Sequence, residues 1–315
     1  MQVMESERLR LRWFEPADAA FALELINEPA WKANISDAGV RDEAGARAWI
    51  EDKLLPVYWR QGQGFWLVER RGDGVPLGLC GLIHRPGLPL PDLGYALLRR
   101  YWGQGYAREA ARACLDYARR VLDLDELLAT TAPHNQDSGR LLLDIGFVDE
   151  GLQSTEAYDE PSRLYRWRRP EPSPWPAGLE GLLARFWAAF DNRGGALPPL
   201  AALPALFAED ARIHVLNGGL SQHMDLRQFL PPRATLLMPG GRLREFHEQM
   251  SQPPEVRQAG GLAQVWMRYR KQGLLDGQPY GGEGRKGLQL LCEQGRWRIA
   301  SLVWEDDAAP VQPVR

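Results

Sequence analysis

The first half of the chain alternates short strand patterns with helical ones. From Leu9 to Trp13 apolar residues take every second position between arginines, the period of a half-buried strand. Pro16 then precedes apolar residues at helical spacing from Ala19 to Ile26, and a second helix is predicted from Glu43 to Leu54. Phe65 to Arg70 and Leu77 to Ile83 read as strands joined by the hairpin connection Arg71-Gly72-Asp73-Gly74. A strand from Leu93 to Leu98, a helix from Ala107 to Val121 and a strand from Leu127 to Ala132 follow. Ser138 to Ile145 forms a helix stopped by Gly146, and Phe147 returns to strand. Such an order predicts a mixed α/β domain.

The pattern breaks at Pro170 to Pro176, PEPSPWP, where proline removes backbone donors and favours extended geometry, as in a linker. Beyond it, Leu179 to Phe190 and Leu200 to Phe207 read as helices. Ala263 to Arg270, Gly287 to Cys292 and Trp297 to Trp304 read as strands, so the second half is α+β. A length of 315 residues fits two domains, expected at 1–169 and 178–307 with a linker at 170–177 and a tail at 308–315.

Composition narrows the function. Lys and Arg total 38 against 41 Asp and Glu, a net charge of −3, which disfavours nucleic acid as a partner. Cys80, Cys114 and Cys292 have no zinc-like spacing, so no metal is expected. The opening MQVMESERLRLR has no apolar signal region, and no apolar run reaches the roughly 18 residues of a membrane helix. The expected location is cytoplasmic, with no membrane partner.

The candidate chemistry lies where a strand end, a glycine-rich turn and a helix start follow one another: Leu97-Leu98-Arg99-Arg100-Tyr101-Trp102-Gly103-Gln104-Gly105-Tyr106-Ala107. Glycines allow close approach of the main chain, and the first amides of a helix are unpaired and favour an anion. Taken alone, Gly-x-Gly fits a plain connecting turn equally well. A dinucleotide fingerprint would need glycine where Arg108 stands, and a triphosphate loop would need Gly-Lys-Ser/Thr, which is absent.

Asp92 to Ala110, DLGYALLRRYWGQGYAREA, resembles the acyl-CoA-binding motif of the general N-acetyltransferase (GNAT) superfamily, and in particular its ribosomal-protein N-terminal acetyltransferase branch. A second block, HNQDSGRLLLDIGF from His134 to Phe147, resembles the family's Asn-x-x-Ser helix ending in Gly-Phe. The resemblance, over about residues 5 to 169, implies a mixed-sheet acyl-CoA N-acyltransferase fold and acetyl-CoA as cosubstrate. It implies that the amides of Trp102, Gly103, Gln104, Gly105, Tyr106 and Ala107 hold the CoA pyrophosphate, with Arg100 opening the turn. Leu97 and Leu98 would pair with the pantetheine arm as an added strand, and Asn135 would approach it across a V-shaped gap. Ser138 is either a helix cap or a cofactor contact.

Acetyl transfer to an amine needs removal of a proton, since a lysine-type amine titrates near about 10.4. Asp92 is the candidate base, with Glu69 behind it; the plain alternative for Asp92 is a solvated strand-end carboxylate. An oxyanion donor is expected from the main chain around Ala96 and Leu97. Many relatives carry an acid-supplying tyrosine where this chain has Leu142, so either Tyr95, otherwise a packing aromatic, is the acid or the weakly basic thiolate leaves unassisted. Trp31 to Asp37 and Trp49 would border the acceptor, a small amine or a peptide N-terminus. The alternatives are a noncatalytic acyl-CoA sensor, or isomerase or hydrolase chemistry in the second domain.

Phe207-Ala208-Glu209-Asp210-Ala211 and the terminal GRWRIASLVWEDD resemble the nuclear-transport-factor-like cone, a cystatin-like α+β fold, over about residues 178 to 307. That resemblance implies a curved antiparallel sheet around helices and a role in ligand binding or homodimer formation. His214, His223 and His247 lack metal-like spacing and are read as core or solvated residues.

Overall fold

The computed structural model describes residues 1–156, 160–217 and 219–307. The expected tail at 308–315 lies outside the described residues. The chain forms two compact units, Met1–Pro174 and Trp175–Arg315.

In the first unit the strands are β1 (Gln2–Glu5), β2 (Leu9–Arg12), β3 (Phe65–Arg70), β4 (Pro76–Ile83), β5 (Asp92–Leu97), β6 (Glu126–Thr131), β7 (Val148–Gln153) and β8 (Ser162–Arg168). They form one sheet in the order β1-β2-β3-β4-β5-β6-β8-β7. Every pairing is antiparallel except β5 with β6, which share the single parallel pair Asp92↔Leu128. The helices are α1 (Ala19–Asn27), α2 (Pro29–Asn34), α3 (Glu43–Trp49), α4 (Leu55–Gln61), α5 (Tyr106–Arg120) and α6 (Gln136–Asp144). Ala110, Ala111, Cys114, Leu115 and Ala118 form the buried stripe of α5 against the sheet.

The segment expected as a helix from Glu43 to Leu54 is helical throughout and continues to Gln61. A π turn at Ile50–Leu54 joins α3 to α4, because Pro56 has no amide to continue the ladder. The proline-rich stretch begins on the first unit: Glu171 pairs with Arg119 at 2.9 Å, and Ser173 Oγ donates to Asp123 at 2.6 Å.

The second unit contains α7 (Gly178–Ala188), a 3-10 segment at Leu200–Leu206, β9 (Phe207–Asn217), β10 (Leu220–Met224) and α8 (Leu226–Leu237). It continues with β11 (Leu243–Met250), β12 (Glu255–Ala259), β13 (Leu262–Leu275), β14 (Gln278–Glu293) and β15 (Arg296–Asp306). The sheet order is β10-β9-β15-β14-β13-β11, with β12 also on β13. It is mixed, not wholly antiparallel as expected: β15 runs parallel to β9, since two strands so far apart in sequence are under no hairpin constraint. Register shifts at Gln289/Leu290 and Arg244/His247 are bulges of the kind that bend a sheet.

Asn192 ties this unit together. Its buried amide donates to Leu237 O at 3.0 Å and Leu243 O at 2.8 Å, and its oxygen accepts from Phe246 N at 2.7 Å. Asn192→Ala strands three buried main-chain groups, and the expected loss is about 3 kcal/mol, read by urea denaturation. A loss near zero would show that those groups find other partners.

Candidate active site

The single bridge between β5 and β6 creates the site. Pro91 O accepts from Leu128 N at 2.9 Å, and past this point the strands part. β5 is held by an unbroken register with β4 from Ile83↔Asp92 to Gly78↔Leu97, while β6 is drawn to β8 along its whole length. The fork opens into a cleft of about 750 Å³, bordered by α1, α2, β5, the glycine turn with the start of α5, and α6.

Strand alternation decides which main-chain groups face the fork. Leu98 N donates to Leu77 O at 2.9 Å, so Leu98, Ala96 and Gly94 bond to β4. Tyr95 and Leu97 therefore turn their amides to the open side. This corrects two expectations. Leu98 is fully buried with its amide spent on β4, so it cannot add a strand to a ligand. Ala96 cannot supply the oxyanion donor, which leaves Leu97 or Tyr95. Leu97 O accepts from Trp102 Nε1 at 2.8 Å.

At the turn, Gly103 and Gly105 have φ of 71° and 79°, a left-handed conformation that favours glycine. The first amide bond of α5 is Glu109 N to Gly105 O at 3.1 Å. Among the described residues, the amides from Gly103 to Arg108 have no protein acceptor. Trp102 does not belong to this set, because its amide donates to Arg99 O at 3.1 Å. Arg100 lies outside the cleft, paired with Glu24 of α1.

Sequence reading missed Arg8. Glu109 holds it at 2.7 Å, and its Nη1 donates to Gln104 O at 3.1 Å, which places a guanidinium against the turn. Nothing local signals this, because Arg8 lies on a different strand entry and meets the turn only through the fold. Arg108 and Arg140 also line the cleft, each paired with a carboxylate there, Asp144 and Asp137.

Asp92 sits at the closed end of the fork, 1% exposed and outside the cleft lining. Arg85 Nε donates to its Oδ2 at 2.5 Å. Burial raises its pKa to about 6, against the opposing pull of Arg85 and the Thr130 main chain. Leu88 of the intervening loop packs with Leu128 and Leu164 and contributes to the same region of the core. Asp92 is therefore not a solvated strand-end carboxylate. Glu69 is spent on Arg12, at 2.7 Å.

Tyr95, Asn135 and Ser138 all line the cleft. The Tyr95 hydroxyl is 2.8 Å from Ser138 Oγ and 3.2 Å from Ser138 O, so it spans the gap between β5 and α6. Burial pushes its pKa up, which keeps it protonated. Asn135 caps α6 by accepting from Ser138 N at 3.2 Å, so Asn135, not Ser138, is the capping residue. Leu142 is buried in the core. On the opposite wall stand Glu28, Trp31, Asn34 and Ile35, whereas Trp49 is not part of the lining. Trp31 Nε1 is buried without an acceptor among the described residues.

No group of His, Cys, Asp or Glu among the described residues could hold a metal ion. No described helix is long and apolar enough to cross a membrane.

Residues 8–148 match the model of the acetyltransferase (GNAT) domain family. The uncharacterized protein YkkB of Bacillus subtilis is 33% identical over 150 residues, covering 45% of this chain and 82% of the relative. The uncharacterized N-acetyltransferase p20 of Bacillus licheniformis is 30% identical over 156 residues, 48% of this chain and 85% of the relative. The [ribosomal protein uS5]-alanine N-acetyltransferase of Escherichia coli is 37% identical over a stretch of 59 residues, 19% of this chain and 30% of the relative. With a forked sheet, a glycine turn of open amides and relatives of this kind, the chain belongs to the GNAT acetyltransferase family and its first unit is an N-acetyltransferase.

Proposed function

We propose that the first unit uses the amides from Gly103 to Arg108 to hold the pyrophosphate of acetyl-CoA while a primary amine attacks the thioester in the fork. The family uses acetyl-CoA, which supplies the activated acetyl group. The observation that carries this reading is the run of open amides at the start of α5, facing a cleft large enough for an extended ligand. Arg8 adds positive charge beside the turn, and Arg108 and Arg140 stand where phosphate oxygens could draw them from their carboxylates.

The reaction forms a C–N bond and breaks a C–S bond. The Leu97 or Tyr95 amide faces the side on which carbonyl oxygen gains charge. The leaving thiolate takes a proton from Tyr95, which Ser138 orients, in place of the acid that Leu142 cannot supply. Glu28 attracts a cationic acceptor, which gives one proton to water in the open cleft before it attacks; the second proton, released as the amide forms, returns through water to Tyr95. Asp92 is assigned a positioning role: with Arg85 it pins the closed end of the fork.

The acceptor is a peptide N-terminus or small amine. Similarity to the uS5-alanine enzyme supports a peptide N-terminus, ribosomal proteins included. The second unit is assigned to a nuclear-transport-factor-like cone that binds a ligand or joins two copies.

Gly105→Val should weaken CoA binding by about tenfold or more in isothermal titration, because it strains the turn and blocks close approach. Unchanged affinity would remove the amides from the cofactor site. In a thiol-release assay with a panel of amines and peptide N-termini, Tyr95→Phe should lower kcat by about a hundredfold with little change in the KM for acetyl-CoA. Full activity would dismiss Tyr95 as the acid. CoA binding with no thiol release from any acceptor would favour a sensor.

Asp92→Asn should lower kcat by the same factor at pH 7 and pH 9; a loss confined to pH 7 would restore Asp92 as the base. Its folded pKa lies above the unfolded value of about 3.9, so the fold favours the neutral acid. The corresponding stability is present below about pH 4 and lost as pH rises through about 6, a slope that the asparagine variant should lack.

A further inference from the structure

The inner face of the second sheet changes character along its strands. Val265, Leu288 and Leu302 lie opposite one another on β13, β14 and β15 and are all buried. One step along the same face come Met267, Lys286 and Trp304, then Tyr269, Gly284 and Asp306, and then Lys271 opposite Glu248 of β11. An apolar floor thus gives way to a band of charges and aromatic rings.

Within that band two cations have carboxylate partners. Lys286 pairs with Glu248, and its Nζ lies 3.7 Å from the centre of the Tyr269 ring and 4.7 Å from that of Trp187. Lys271 Nζ meets Asp306 at 2.7 Å, and Asp306 also accepts from the Tyr269 hydroxyl. Arg233 of α8 is the third cation. Its guanidinium carbon lies 3.5 Å from the Phe229 ring centre and 5.3 Å from that of Trp304. Nη1 donates to Phe229 O at 2.8 Å, but among the described residues Arg233 has no ion-pair partner. Glu248 and Asp306 contribute attraction from a distance, yet burial still pushes its pKa down to about 10. Three cations against two carboxylates leave the band one positive charge in excess.

We propose that the second unit binds a small organic monocarboxylate, held by the Arg233 guanidinium with its apolar body against the half-buried Trp304 ring. Even a half-buried cation without a counter-charge is costly, and one negative charge balances this band. The planar fork of arginine matches the two oxygens of a carboxylate. A phosphate dianion would overcompensate, and the aromatic walls favour a ligand with an apolar part. Trp187 Nε1, buried without an acceptor among the described residues, offers a further donor at the same band. This inference is independent of the chemistry assigned to the first unit.

The test is isothermal titration of the full chain with benzoate and hexanoate against their neutral counterparts benzamide and hexanamide, with inorganic phosphate as the dianion probe. At least one carboxylate should bind about tenfold or more tightly than its amide, and more tightly than phosphate. Arg233→Gln should weaken that binding by about tenfold or more, and Arg233→Lys should recover part of it. The proposal is overturned if neither carboxylate binds at millimolar concentration, if acid and amide bind alike, if phosphate binds more tightly, or if Arg233→Gln binds as the wild type does. If the glutamine variant does not fold, the wild-type comparison of acid with amide decides alone.

Discussion

β5 and β6 are neighbours that share one bridge and then separate, and the chemistry of the first unit depends on that separation. Inside a continuous sheet, the main-chain groups of Tyr95 and Leu97 would be consumed by the next strand. Here β4 claims the residues on one side, and the other side is left to the cleft because β8 holds β6 away. A forked sheet therefore has donors and acceptors to offer without any side chain being devoted to them. The closed end must be secured for this to hold. Arg85 with Asp92, and Leu88 against Leu128 and Leu164, lie where the strands still touch.

The helix start adds what the fork lacks. A strand edge can pair with amides of a ligand, but it carries little net field, whereas the first turn of α5 concentrates unpaired N–H groups and the positive end of the helix dipole. Two left-handed glycines direct the turn so that these amides border the cleft. Glu109 contributes from within the helix by fixing Arg8 against the turn. The carboxylates around the rim are mostly paired with arginines, so their presence does not oppose an anionic ligand as strongly as their number suggests.

Much of this was legible because it is local. The period of Phe65–Arg70 gives β3 with its observed ends, and the patterns of β5, α5 and α6 place those elements to within about two residues. The glycine turn is contiguous, so its two left-handed glycines and the helix start behind them could be read directly. What failed was non-local. Pro56 and the Pro231-Pro232 pair hid α4 and α8, since proline reads as a breaker even where an N-terminal position or a capping box carries the helix through. Whether Leu98 or Leu97 faces a ligand depends on register against β4, and the burial of Asp92 depends on a loop and a partner arginine. Neither is visible in the residue or its neighbours.

Replacing a helix-borne acid with a strand-borne one is physically reasonable in this fold. The position of Leu142 is enclosed by the core, where a hydroxyl would need its own partner. Tyr95 projects from β5 and reaches Ser138 on α6, so its hydroxyl spans the gap between that strand and that helix. Burial raises the Tyr95 pKa and suppresses its use as a base, but it also keeps the proton in place for the thiolate that the proposed reaction would release. A group that is never ionised in the resting enzyme can still be a good donor, provided that the anion it meets is generated in the same low-dielectric space. On the proposed assignment, the buried Tyr95 hydroxyl meets that condition at the base of the cleft, and the acid can stand on the strand instead of the helix.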